Sequence, residues 1–170
     1  AGEREKAINL LNKRFTRDPS QLVEMVPIFE SQQVSREEMA GILPESVSAW
    51  IRYGDYLENA GRIEEALYYR KKALDYIPNN ERPKPHWYVQ LVRFYQRQKM
   101  EKEAVQVIRK AIDGVPDYAP FHAWLGDYYR KENITYRALE EYERAVFLEP
   151  ENPAFQRRLR KLKLDIEFGN

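Results

Sequence analysis

The sequence contains no cysteine, and among its 170 residues only two are histidine and seven are glycine. Without cysteine the chain has no disulfide framework, no thiolate zinc site and no cysteine nucleophile. So few glycines also disfavour a glycine-rich phosphate-binding loop. No apolar run approaches the roughly 20 residues of a transmembrane helix, and the mean hydropathy is −0.75.

Neither sign of charge dominates, because 28 basic residues stand against 27 acidic ones and the formal net charge is +1. This balance gives no general attraction to nucleic acid or to an anionic membrane. Hydrophobic residues make up 43% of the chain and charged residues 32%. Such a composition predicts a folded protein with a packed core.

A frame of alanines and prolines repeats along the chain. In each unit a second alanine follows the first after seven residues, and a proline follows five residues later. The three sets are Ala66, Ala73 and Pro78; Ala104, Ala111 and Pro116; and Ala138, Ala145 and Pro150. Upstream of the first and third sets a glycine follows a large residue, as in Tyr53-Gly54 and Leu125-Gly126.

This frame resembles the tetratricopeptide repeat (TPR), a helix–turn–helix unit of 34 residues. The resemblance implies TPR-like repeats at 47–80, 85–118 and 119–152. It implies an all-α fold, a right-handed α-solenoid of antiparallel helix hairpins that forms one continuous domain. In the first repeat we expect helices near 47–60 and 63–76, with Gly61 at the turn between them.

The first two repeats depart from the pattern in places. In the second repeat the departures include the position of the glycine. Val92 stands where a glycine is expected, so this hairpin is expected to splay slightly. Between the two alanines, where the pattern has an aromatic residue, the second repeat has Ile108 and the first repeat has Arg70. Residues 81–84 form an insertion between the first two repeats.

Residues 1–46 are expected to form a half-repeat and a degenerate pair of short helices. Residues 1–20 resemble the second half of a repeat, so we expect the sequence to be a fragment of a longer TPR-containing protein. One short helix is expected from Gln21 to Glu30. Ser35 and Glu38 have the spacing of a capping box, which predicts a second short helix that ends near Leu43.

Residues 153–170 are expected to form a C-terminal capping helix from Pro153 to about Glu167. Its apolar residues are expected to pack on the last repeat: Ala154, Phe155, Leu159, Leu162 and Ile166. Its basic residues are expected to face outward, as in the polar cap of a solenoid: Arg157, Arg158, Arg160, Lys161 and Lys163.

The sequence predicts no catalytic, cofactor-binding or metal site, and the protein is not expected to be an enzyme. His86 and His122 occupy near-equivalent places in adjacent repeats. Two histidines without cysteine or a nearby carboxylate make a poor metal site, so both are expected to be packing residues at helix starts. Paired carboxylates such as Glu64 and Glu65 suit the helix dipole at predicted helix starts.

The resemblance places function on the concave face, which the first helix of each repeat lines. Transferred to this sequence, the family's pattern implies these partner-binding residues: Arg52, Asp55, Gln90, Arg93, Arg97, Trp124, Asp127, Arg130, Lys131, Arg157, Arg158 and Lys161. The early end of this face is mixed to acidic, and the later end is basic.

We therefore expect a non-catalytic protein–protein interaction module or scaffold that binds a peptide or a partner-protein segment on its concave face. Arginine and tryptophan are frequent at binding hot spots. An acidic segment would meet Arg93, Arg97 and Arg130, with Trp124 as an apolar anchor. An ordinary solvated face is the alternative.

Some TPR domains clamp the C-terminal carboxylate of chaperones with lysine, asparagine and arginine at fixed positions. The matching positions here carry other residues, so that kind of clamp is not expected: Ile51, Asp55, Gln90, Pro120 and Trp124.

Other interpretations stay open. Trp50, Tyr53 and the run Tyr142-Glu143-Arg144-Ala145 resemble the half-a-TPR repeat of RNA-processing factors, although Leu57 replaces its glutamate. A TPR appendage of a bacterial cell-envelope or membrane protein is another alternative. The sequence predicts a soluble domain and leaves its location open between the cytoplasm and the periplasm. Self-association through Phe121, Trp124 or the N-terminal half-repeat is a third. Direct nucleic-acid binding through residues 157–163 is not expected.

Overall fold

In a computed structural model, which describes residues 2–79 and 82–169, the polypeptide is helical throughout. These residues form ten α-helices and no strand, so the all-α prediction is confirmed. Asn80 and the first residue of the 81–84 insertion lie outside the described residues. The chain divides into two compact units, residues 1–81 and 82–170.

Five helices make up the first unit. They are α1 Gly2–Arg17, α2 Leu22–Ser31, α3 Arg36–Ile42, α4 Val47–Asn59 and α5 Ile63–Tyr76. Short 3-10 turns, Pro19–Gln21 and Ile77–Asn79, follow α1 and α5. Helices α4 and α5 pack as an antiparallel hairpin over the range predicted for the first repeat.

Helix α3 begins at the capping box predicted from the sequence. The backbone N–H of Glu38 donates to Ser35 Oγ at 3.2 Å, and the backbone N–H of Ser35 donates to Glu38 Oε2 at 2.9 Å. At the other end of α3, Asn12 of α1 donates to the carbonyl oxygens of Gly41 and Leu43. Both ends of this seven-residue helix are therefore satisfied by side chains, which a helix too short to be stable alone needs.

The second unit also has five helices. They are α6 Pro85–Arg97, α7 Glu101–Gly114, α8 Ala119–Lys131, α9 Thr135–Leu148 and α10 Pro153–Phe168. Proline stands in the first turn of α6, α8 and α10, where its fixed φ suits helix initiation. Small residues let α8, α9 and α10 meet around Phe155: Ala119, Ala123 and Ala145.

Helices α6 and α7 approach each other over a shorter stretch than the hairpins α4/α5 and α8/α9 do. Val92 and Ile108 face the interior of this hairpin, and both are fully buried. Since Val92 replaces the glycine of the other two hairpins, its branched side chain holds the two backbones apart. This agrees with the splay expected from the sequence.

Helix α10 differs from its prediction in two respects. Phe155 and Leu162 are buried as expected, but Ile166 is 48% exposed, and the expectation that it packs is wrong. Leu164 and Phe168 are also exposed, so the outer face of this helix is not uniformly polar. A helix that packs along one narrow stripe buries residues two turns apart, such as Phe155 and Leu162, and leaves its other faces in water.

Candidate functional site

In the first unit the predicted binding residues are Arg52 and Asp55 on α4. Arg52 is exposed. The carboxylate of Asp55 is half-exposed and pairs with the guanidinium of Arg70, which is completely buried between α4 and α5. Gly54 makes room for this arginine, because a Cβ there would lie 3.0 Å from Arg70 Nε. Asp55 therefore holds the hairpin together and presents only part of its charge to solvent.

In the second unit three predicted residues lie on α6 at helical spacing. Gln90, Arg93 and Arg97 are all exposed. Residues three and four positions apart share one face of a helix, so these side chains form one polar stripe. None of the three lines the cavity that Trp124, Asp127 and Lys131 border.

That cavity, which we call the α6–α8 groove, has a volume of about 410 Å³. Its apolar floor consists of Ala104, Val105 and Ile108 of α7, and Trp124 and Tyr128 of α8 form a wall. The polar residues at its rim are Gln96, Lys99, Glu101, Asp127 and Lys131. The structure thus brings together three predicted residues, Trp124, Asp127 and Lys131.

Charges around the groove are largely compensated within the fold. Lys131 Nζ pairs with Glu101, which raises the pKa of the lysine. Arg158 Nε of α10 lies 3.0 and 3.2 Å from the two carboxylate oxygens of Asp127, and Tyr142 donates its hydroxyl to Asp127 at 2.8 Å. Each of the two carboxylates that line the groove therefore already has a partner.

The remaining predicted residues divide into paired and exposed ones. Arg130 Nη2 lies 3.8 Å from Asp165 Oδ2 of α10, so its charge is partly balanced. Arg157 and Lys161 are exposed on α10. Neither of them lines the groove.

Sequence reasoning missed Lys99, Val105 and Tyr128. Lys99 occupies the place in the α6–α7 turn that Gly61 has in the α4–α5 turn, and both residues have positive φ. A lysine where the first repeat has glycine was the available signal. Val105 and Tyr128 carry no signal of their own, because they read as ordinary packing residues.

The two histidines behave differently. His86 is exposed, so the expectation that it packs is wrong. His122 is buried, and both ring nitrogens have oxygen partners: Nδ1 lies 2.7 Å from Glu141 Oε2 and Nε2 lies 2.9 Å from the carbonyl oxygen of Pro116. Burial lowers its pKa, but these two hydrogen bonds outweigh burial and the pKa is raised.

Within residues 2–79 and 82–169, no group of three histidine or acidic side chains is arranged to hold a metal ion. None of the helices in the same part of the chain is long and apolar enough to cross a membrane.

Residues 47–80, which include helices α4 and α5, match the family model of the tetratricopeptide repeat. This chain contains a tetratricopeptide repeat. The TPR prediction made from the alanine–proline frame is confirmed. No curated protein matches the sequence.

Solved structures of TPR proteins share the fold. MamA from Desulfovibrio magneticus RS-1, residues 41 to the end, is 19% identical over 96% of this chain and 86% of its own, with a TM-score of 0.59. PilF of Pseudomonas aeruginosa is 18% identical over 98% of this chain and 70% of its own, with a TM-score of 0.57. The first TPR of Spaghetti (RPAP3), bound to the HSP90 peptide SRMEEVD, is 22% identical over 72% of this chain and 94% of its own, with a TM-score of 0.56. At these identities the likeness shows the fold alone.

The helix starts in the second unit follow a regular spacing. Helices α6, α8 and α10 begin at Pro85, Ala119 and Pro153, so successive starts lie 34 residues apart, which is the length of one tetratricopeptide repeat. The groove lies between the hairpin α6/α7 and helix α8.

Proposed function

We propose that this protein is a non-catalytic interaction module that binds an extended segment of a partner protein in the α6–α8 groove. The observation that carries the proposal is the groove itself: an apolar floor of three α7 residues beside Trp124, with polar groups confined to the rim. Small apolar hollows with a few polar groups at the edge are typical of binding sites, and tryptophan is enriched at hot spots.

The fold supports a peptide as the occupant. The Spaghetti TPR, with the same fold, is bound to a peptide in its solved structure. The sequence differs from a clamp for a chaperone tail at all five positions named above, and Ile51 is buried. Of these five positions only Trp124 lines the groove. The proposed segment is therefore one whose apolar side chain enters the groove, rather than a C-terminal tail held by a clamp of lysines and asparagines.

The test is selection from a random peptide library, followed by titration of the enriched peptides. Trp124→Ala is the groove variant, and Phe147→Ala is the matched control, since Phe147 of α9 is 73% exposed and outside the groove. We expect the enriched peptides to bind the wild type and the control equally, and Trp124→Ala at least about tenfold more weakly, as for a hot spot. The proposal fails if no peptide is enriched or if Trp124→Ala binds them as well as the wild type.

A further inference from the structure

Lys99 lies in the turn between α6 and α7, at the rim of the groove. Its backbone is left-handed, with φ of 58°. Hydrogen bonds hold that turn: the N–H of Lys99 donates to the carbonyl of Gln96 at 3.0 Å, and the N–H of Met100 donates to the carbonyl of Tyr95 at 2.9 Å. The position of the Lys99 side chain at the groove is thus set by the end of helix α6.

Lys99 differs from the other charged residues of the groove. Glu101 is paired with Lys131, and Asp127 is paired with Arg158 and also accepts from Tyr142. Within residues 2–79 and 82–169, Lys99 has no carboxylate at ion-pair distance. Counting only partners in the described part of the chain, the lining therefore presents one uncompensated positive charge, next to an apolar floor.

We propose that Lys99 is the specificity-determining residue of the groove and selects a peptide that carries an aspartate or glutamate next to a bulky apolar residue. This inference rests on the proposed function. The apolar side chain enters between Trp124 and the α7 floor, and the adjacent carboxylate meets the ammonium group of Lys99 at the rim. The ion pairs Lys131–Glu101 and Arg158–Asp127 at the other edges of the groove attract a carboxylate less than Lys99 does, because each pair has no net charge.

The backbone of Lys99 permits a clean test. Glycine adopts positive φ without the steric cost that a lysine bears. Lys99→Gly therefore removes the charge and at the same time is expected to raise the unfolding midpoint, so that weaker binding cannot come from a damaged fold. Asn133→Gly is the matched control, because Asn133 has the same φ of 58° in the α8–α9 turn and does not line the groove.

The probes are two capped peptides, Gly-Ser-Asp-Leu-Asp-Ser-Gly and its counterpart with asparagine at both aspartate positions. Binding is followed by NMR through the indole N–H signal of Trp124, the half-buried tryptophan at the groove. We expect the aspartate peptide to bind roughly two- to fivefold more tightly, the range for an exposed ion pair. The preference should vanish in Lys99→Gly, persist in Asn133→Gly and shrink as salt is raised toward about 1 M.

The outcomes separate the two proposals. If both peptides bind equally, or if Lys99→Gly keeps the preference, the selection by Lys99 is wrong while the groove stands. If neither peptide shifts the Trp124 signal even at millimolar concentration, and library selection also yields nothing, the proposed function itself is wrong.

Discussion

The hairpins α4/α5 and α8/α9 each have a glycine, an aspartate and a large side chain at the same spacing in the sequence. The large side chain that fills the space between the two helices is chemically different in each. In α4/α5 a glycine, Gly54, makes room for the buried guanidinium of Arg70, which pairs with Asp55. In α8/α9 the glycine is Gly126, and the ring of Tyr142 lies against it while its hydroxyl donates to Asp127. What the two share is a geometry: space from a glycine, a large side chain that fills it, and an aspartate that accepts its polar end.

The hairpin α6/α7 shows what happens without that combination. Val92 takes the glycine position, Ile108 the position of the large side chain, and Arg93 that of the aspartate. With Ile108 there is no polar tip to satisfy, and so no carboxylate is needed. The lesson is that the three positions depend on one another within each hairpin, and single substitutions should test that dependence.

The largest effect is expected from Arg70→Ala. It removes a completely buried side chain and takes the guanidinium away from Asp55, which together should cost about 3 kcal/mol of unfolding free energy. Arg70→Tyr should recover most of this loss, because it copies Tyr142 and places a hydroxyl toward Asp55. Urea unfolding of both variants measures the difference. If Arg70→Tyr is as unstable as Arg70→Ala, the two hairpins are not interchangeable.

The next effect is expected at the glycines. A Cβ at position 126 would lie 2.6 Å from two ring carbons of Tyr142, while one at position 54 would lie 3.0 Å from the more flexible arginine. Gly126→Ala should therefore cost about 2 kcal/mol and Gly54→Ala clearly less, by the same unfolding measurement. The double variant Gly126→Val with Tyr142→Ile copies α6/α7 and should be more stable than Gly126→Val alone. Additive losses in that cycle would contradict the proposed dependence.

A smaller effect is expected from Tyr142→Phe, which deletes only the hydroxyl. The hydrogen bond to Asp127 should contribute about 1 kcal/mol, because Arg158 continues to satisfy the carboxylate. Tyr136→Phe on the same helix is the control, since Tyr136 is 60% exposed. Thermal unfolding should show a lower midpoint for Tyr142→Phe and no change for the control. Equal midpoints for the two variants would show that the hydroxyl contributes nothing.

The smallest effect concerns the pH dependence of stability and again distinguishes the two hairpins, because the fourth residue is His122 in α8 and Trp50 in α4. The pKa of folded His122 is raised, with Glu141 and the Pro116 carbonyl favouring the charged ring against burial and the nearby Arg144. His122 therefore contributes its full stabilisation to the folded state below a pH of about 6.5, which is the ordinary pKa of histidine. This contribution is lost as the pH rises through the raised pKa of the folded state. The unfolding midpoint should fall over that window.

His122→Gln should flatten this pH dependence, because glutamine keeps a polar side chain but does not titrate. His86→Gln is the matched control for the substitution itself, since His86 is exposed. A slope that survives in His122→Gln would assign the pH dependence to another group.

Much of the fold could be predicted from local patterns. The alanine–proline frame gave α5 within its observed bounds, and Ser35 with Glu38 gave the start of α3, because caps and helix ends depend on nearby residues. The exposure of Ile166 could not be predicted from local patterns. It has the right spacing for a buried residue, but burial depends on whether a neighbouring helix covers that place.

The candidate site could be predicted less well. The register of α8 gave Trp124, Asp127 and Lys131, which do line one groove. The ion pairs of Arg158 with Asp127 and of Arg130 with Asp165 join residues about one repeat apart, and no local pattern contains them. For that reason the sequence overestimated the positive charge available to a ligand. Lys99 was missed for a different reason, because it lies in a turn between helices and not on the helix face from which the site was predicted.

The side chain of Asp127 connects three helices. It belongs to α8, accepts from Tyr142 of α9 and pairs with Arg158 of α10, and it also borders the groove. The charge at the groove therefore depends on whether α10 is docked, since departure of Arg158 would leave the Asp127 carboxylate without its cation and repel an acidic ligand. Docking of α10 and binding of a carboxylate are thus linked equilibria, and each must favour the other by the same free energy.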